Sequence, residues 1–91
     1  MNVIEDVLGS PGRIRILRVL LHHNEVNITK LVKETGMHYR LVVKHLKILE
    51  QHGIVIEKRY GRARIIALNR DNPLTQLILE VFNRLDTLEQ G

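Results

Sequence analysis

The residues most able to do chemistry lie between Gly36 and Val55, in GMHYRLVVKHLKILEQHGIV. Placed on a helical wheel of ~3.6 residues per turn, Val42, Leu46 and Leu49 gather on one side, flanked by His38 and His45. Arg40, Val43, Lys44, Lys47 and Gln51 gather on the other. A helix with one apolar face and a second face carrying a guanidinium, two ammonium groups and an amide suits a groove of double-stranded DNA. Arginine or lysine there can reach guanine, and Val43 can meet a thymine methyl group. The same stretch invites a metal reading, because His38, His45 and His52 recur every seven residues. Seven helical residues span about 10.5 Å, too far for two imidazoles to share an ion bound at ~2.0–2.1 Å. No metal site is expected, and His45 is read as a packed, hydrogen-bonded side chain on the flank of the buried face.

Charge along the chain supports a polyanionic partner. The net charge of the 91 residues is +4, but its distribution is uneven. Residues 1–12 carry two acids and no bases, and residues 65–91 carry two bases against four acids. Residues 13–64 hold twelve Lys or Arg against four acids. A basic middle between acidic ends fits nucleic acid better than a uniformly solvated surface. The chain has no cysteine, which excludes disulfides, thiolate metal ligation and cysteine catalysis. Neither a Gly-rich phosphate loop, a Ser-centred elbow nor a pair of carboxylates in an apolar setting is present, so no enzyme is expected. No apolar run approaches the ~20 residues of a membrane span, and the acidic start MNVIEDVLGS lacks the marks of a signal peptide. A cytoplasmic, nucleoid-associated protein without cofactors is the expectation.

The elements that must position this face can be read in order. Val3, Ile4, Val7 and Leu8 have helical spacing in a short first segment. Ser10 as N-cap and Pro11 in the first turn open a helix to about His22 that buries Ile14, Leu17, Leu20 and Leu21. Arg15 and Arg18 lie on another side of it, either on phosphate or in solvent. After a polar break at His22 to Glu25, Asn27 caps a second helix from Ile28 to Thr35 with Ile28, Leu31 and Val32 inward. Gly36 permits the sharp turn, Met37 plugs it, and His38 takes the cap position of the helix that ends at Gly53. Period-two runs IVIEKRY and RARIIAL then flank Gly61 as a hairpin carrying Lys58, Arg59, Arg62 and Arg64. Those cations suit phosphate or the minor groove, or else protect a sheet edge from pairing with another strand. Asp71, Asn72 and Pro73 start a last helix, within residues 71–89, on which Leu74, Ile78, Val81, Leu85 and Leu88 step by four, three, four and three. Leu77 and Phe82 widen that stripe. So small a domain is not expected to cover all of it, which marks a protein interface.

Helix, helix, turn, helix and basic hairpin resemble the winged helix-turn-helix of bacterial and archaeal transcription regulators. SPGRIRILRVLL resembles the opening helix of ArsR-type repressors, NITKLVKETGMHYRLVVKHLKILEQHGIV their paired helices, and EKRYGRARIIAL their wing. MarR-type and other small archaeal winged-helix proteins share much of the pattern. The resemblance implies a single mainly α domain over residues 1–91, with a winged helix-turn-helix core at 10–68 and dimerisation helices at both ends. It also implies a homodimer that binds double-stranded DNA and regulates transcription. His38, Tyr39, Arg40, Val43, Lys44 and Lys47 would then serve the reading helix, and Lys58, Arg59, Arg62 and Arg64 the wing. Leu74, Ile78, Val81, Leu85 and Leu88 would pair the subunits. Two alternatives stay open: a sequence-indifferent architectural DNA-binding protein, and a winged helix used only to bind protein. The chain departs from the family in two respects. It lacks the cysteines of the family's metal site on the second helix of the motif and any histidine on the last helix, so sensing at either site is not expected. Leu41 and Val43 also stand where the family often has small or polar residues.

Overall fold

In a computed structural model, described here for residues 2–90, five helices and a three-stranded antiparallel sheet enclose one core. The order is α1 (Val3–Leu8), α2 (Pro11–His22), β1 (Glu25–Asn27), α3 (Ile28–Thr35), α4 (Tyr39–Gln51), β2 (Val55–Tyr60), β3 (Ala63–Leu68) and α5 (Pro73–Gln90). The helix starts are local. Ser10 Oγ accepts the Arg13 N–H at 3.2 Å, and Asn27 Oδ1 accepts the Lys30 N–H at 2.8 Å. Each satisfies a first-turn donor that has no partner within its helix. His38 occupies the N-cap position of α4 but makes no side-chain capping bond. Gly36 ends α3 at φ 71° and Gly53 follows α4 at φ 72°, left-handed backbone in which a Cβ is strained.

The core joins Ile16, Leu17 and Leu20 of α2, Leu31 of α3, Val42, Leu46 and Leu49 of α4, Ile54, and Ile66 of β3. Ile16 takes a fully buried place, while Ile14 and Leu21, expected inside, are only half-buried. Met37 is packed against the core, as its plug role requires.

The polar break after α2 conceals a strand. Glu25–Asn27 pairs antiparallel with β3, Val26 opposite Ile66, so the sheet order is β1-β3-β2 rather than a lone hairpin. Lys58 Nζ reaches across β3 to Glu25 Oε1 at 2.6 Å and braces one edge strand against the other.

The stripe on α5 divides in two. Thr75, Ile78 and Phe82 are buried in the chain's own core. Arg18 fastens this side, its Nη1 donating to Asp86 Oδ2 at 3.0 Å and its guanidinium lying 5.4 Å from the centre of the Phe82 ring. Leu77, Leu85 and Leu88 remain 57%, 49% and 75% exposed. Ile78, assigned from the heptad to a subunit interface, is instead an internal residue, because α5 turns its 75/78/82 face to the body. The outer stripe continues into an apolar groove between α1 and α5, lined by Val3, Ile4, Val7, Leu8, Leu74, Leu77, Ile78 and Val81.

Candidate nucleic-acid interface

Burial of Val42, Leu46 and Leu49 fixes the rotation of α4 and leaves Arg40, Lys44, Lys47 and Gln51 exposed. Among the described residues none of these three cations takes part in an ion pair. Val43 and Leu41 flank the exposed face on opposite sides, about 70° and 90° from its centre at ~3.6 residues per turn, a nearly symmetric pair. The wing breaks that symmetry. Val43 is half-buried, packs against the core, and lines a cleft with Leu46, Lys47, Glu50, Glu57 and Arg64 between α4 and the hairpin. Leu41, on the side away from the wing, is 40% exposed. The sequence wheel places Val43 on the basic face and leaves Leu41 off it; the hairpin reverses that ranking by covering Val43.

The histidines of the seven-residue row have three separate surroundings. His38 is exposed. His45 Nδ1 lies 3.0 Å from Arg13 Nη1 of α2, and Arg13 Nε also donates to the carbonyl of Asp6. Burial, then the charges of Arg13 and Lys44, hold the His45 imidazole below its ordinary pKa. Its neutral form, with Nδ1 as acceptor, therefore suits the site. His52 Nε2 lies 2.7 Å from Asp6 Oδ2. The second and third histidines thus tie α4 to α2 and α1.

The wing cations are not equivalent. Arg62, in the turn between β2 and β3, is exposed and takes part in no ion pair among the described residues. Lys58 is held by Glu25. Arg59 and Arg64 are directly opposed across the hairpin, and Glu57 accepts from both. Arg64 grips that carboxylate with two nitrogens, Nη2 to Oε1 at 2.8 Å and Nε to Oε2 at 3.1 Å. Its Nη1 donates to the Tyr39 hydroxyl at 2.6 Å, which joins the wing to the first turn of α4. Hydrogen bonds from Arg64 hold the Glu57 carboxyl below the usual carboxylate range, against the opposing effect of burial.

A helix-turn-helix whose second helix offers a free basic face, followed by a cationic hairpin, defines the winged helix-turn-helix class of DNA-binding proteins. Residues 10–57 match the model of the family described as "Bacterial regulatory protein, arsR family". The chain belongs to the ArsR family and is a DNA-binding transcriptional regulator, not an enzyme. It is 32% identical over 83 residues to YuzN of Bacillus subtilis, an uncharacterized HTH-type transcriptional regulator, covering 85% of this chain and 89% of that protein. It is 29% identical over 86 residues to the HTH-type transcriptional regulator NmtR of Mycobacterium tuberculosis, covering 94% and 70%. Among solved structures, AntR, an antimony-specific transcriptional repressor, superposes with a TM-score of 0.78 at 24% identity, covering 98% of this chain and 79% of that one. HlyU of Vibrio cholerae gives 0.77 at 22% identity, covering 91% and 87%. These two likenesses establish the winged-helix fold. No helix among the described residues is long and apolar enough to cross a membrane.

Proposed function

We propose that two copies of this chain pair through α1 and α5 and bind a pseudo-palindromic operator, with α4 of each in the major groove and each wing on the backbone or in the minor groove. The observation that carries this reading is the free basic face of α4, since Arg40, Lys44 and Lys47 are exposed and no carboxylate among the described residues engages them. Arg40 and Lys44 read base edges, with His38 and Tyr39 at the end of the helix nearest the turn. A good bidentate contact to guanine discriminates by ~1–3 kcal/mol. Leu41, rather than the half-buried Val43, is the apolar side chain open to a thymine methyl group. Lys47 and Arg62 hold phosphate, setting register without reading sequence. Arg59 and Lys58 join them by exchanging a protein carboxylate for a phosphate. The outer stripe of α5 and the adjoining groove supply the apolar surface for pairing. Two-fold symmetry then sets half-sites about 10–10.5 bp apart, or a multiple of that. Binding to chromosomal DNA puts the protein with the nucleoid in the cytoplasm.

Titration onto the protein's own promoter region and onto scrambled DNA, at two salt concentrations, tests the proposal. Preference for the promoter is expected. Arg40→Ala relaxes that preference, while Arg62→Ala weakens binding to every sequence and lowers the salt slope by about one. Equal binding to both DNAs by the parent protein would replace operator reading with an architectural role. Identical behaviour of the two variants would refute the division between reading helix and wing.

A further inference from the structure

The wing carries an arginine that is occupied within the chain. Arg59 and Arg64 are register partners on neighbouring strands, where like charges directly opposite each other repel. Glu57 lies two residues from Arg59 on the same face of β2 and accepts from both guanidinium groups. The side chains of Glu57 and Arg64 are 16% and 22% exposed, against 65% for Arg59. Three nitrogens of Arg64 are committed, two to Glu57 and one to Tyr39. Tyr39 is the first residue of α4, so this one side chain spans from β3 to the start of the reading helix. A planar, forked guanidinium suits such a bridge and an ammonium does not, because only the former can hold a carboxylate with two parallel bonds and still present a third nitrogen elsewhere.

We propose that Glu57 and Arg64 are positioning residues: Arg64, clamped by Glu57 and bonded to the Tyr39 hydroxyl, is a strut that sets the angle between wing and reading helix. It is not a phosphate ligand. The inference rests on α4 and the wing contacting DNA together, and it changes what one wing cation does there. Its consequence runs against simple electrostatics. Glu57 is an acid on a DNA-facing hairpin, so removing its charge strengthens attraction to any DNA. If the carboxylate instead holds the strut, its removal weakens binding to the operator, because wing and helix no longer arrive in a common register.

Glu57→Gln, Arg64→Gln, Arg64→Lys, Tyr39→Phe and Arg62→Gln distinguish the two roles, with folding of each checked by thermal unfolding. For Glu57→Gln the expected result is operator affinity lowered about tenfold while affinity for scrambled DNA is equal or higher. For Arg64→Gln the salt slope on scrambled DNA matches the parent, whereas Arg62→Gln lowers it by about one. Arg64→Lys does not restore operator affinity, and Tyr39→Phe has little further effect once Arg64 is replaced. If Glu57→Gln raises affinity for every sequence, or Arg64→Gln lowers the slope as Arg62→Gln does, the strut is refuted. A measurement without DNA decides the matter even where the parent protein does not prefer its operator. The Arg64 side-chain Nε–H, observed by NMR, is protected from solvent exchange in the parent and loses that protection in Glu57→Gln. Rapid exchange in the parent would overturn the proposal, whereas failure of operator preference alone overturns only the reading beneath it.

Discussion

If two copies pair through α1 and α5 as proposed, replacing Leu85 with glutamate separates association from folding. Leu77, Leu85 and Leu88 leave about two leucine side chains' worth of apolar surface in water per chain, and about four per pair. Covering all of it yields roughly 5–11 kcal/mol at ~1.5–3 kcal/mol per leucine. That is comparable with the ~4–15 kcal/mol lost on association, so pairing is sensitive to each of these residues. Leu85 is 49% exposed, so its two copies contribute together about one leucine, roughly 1.5–3 kcal/mol. Loss of that term alone raises the dimer dissociation constant about ten- to 150-fold, and desolvating the new carboxylate adds to it. The isolated chain loses about 0.8–1.5 kcal/mol, the share of the half of the side chain already covered, because the site lies away from the core. Sedimentation equilibrium over a range of concentrations measures the first effect, and thermal unfolding at low concentration the second. Ile78→Ala is the complement: it costs roughly 2–5 kcal/mol of fold stability through a core cavity, with a smaller effect on pairing. An unchanged dimer constant in Leu85→Glu would refute the division of α5 into an inner and an outer stripe.

Other substitutions probe the frame that carries the reading helix. The folded-state pKa of His45 lies below the unfolded value near 6.5, so its contribution to stability is complete above pH 6.5 and is lost as pH falls below it. His45→Gln is expected to flatten that part of a stability–pH profile measured by denaturant titration. Gly53→Ala is expected to be worse than Gly36→Ala. Both force a Cβ into left-handed backbone, at roughly 1–2 kcal/mol, but only at Gly53 does the new atom fall 2.9 Å from Asn72 Nδ2 and disturb that amide's bonds to the carbonyls of His52 and Gly53. Differential calorimetry of the pair checks the order. Asn27→Ala removes the acceptor for the Lys30 N–H and should lower stability by about 1 kcal/mol in the same experiment.

Features set by neighbouring residues were legible in the chain, and features set by distant partners were not. Ser10, Asn27, Gly36 and Gly53 mark helix ends because capping and left-handed backbone are local requirements, and all four stand where the spacing places them. β1 is invisible by the same logic. Three residues with one apolar side chain show no periodicity, and the strand exists because β3 has a free edge to bond. The heptad on α5 was a correct count with an incomplete meaning, since the step of a stripe does not say which neighbouring stripe meets the body. The basic character of the wing was plain in its composition. That Glu57 engages two of its arginines required the cross-strand register, and the unequal burial of Leu41 and Val43 required knowing which flank the hairpin covers.

The short strand β1 has a practical consequence for anyone wishing to transplant the reading unit. Asn27 is at once its last residue and the cap of α3. Helices α3 and α4 are therefore enclosed between two strands that bond to each other, 25–27 and 63–68. A fragment cut after Gln51 strands the backbone of β1 without its partner and loosens the first turn of α3. The smallest portable cassette is a closed one that runs from β1 through β3 and carries its own hairpin.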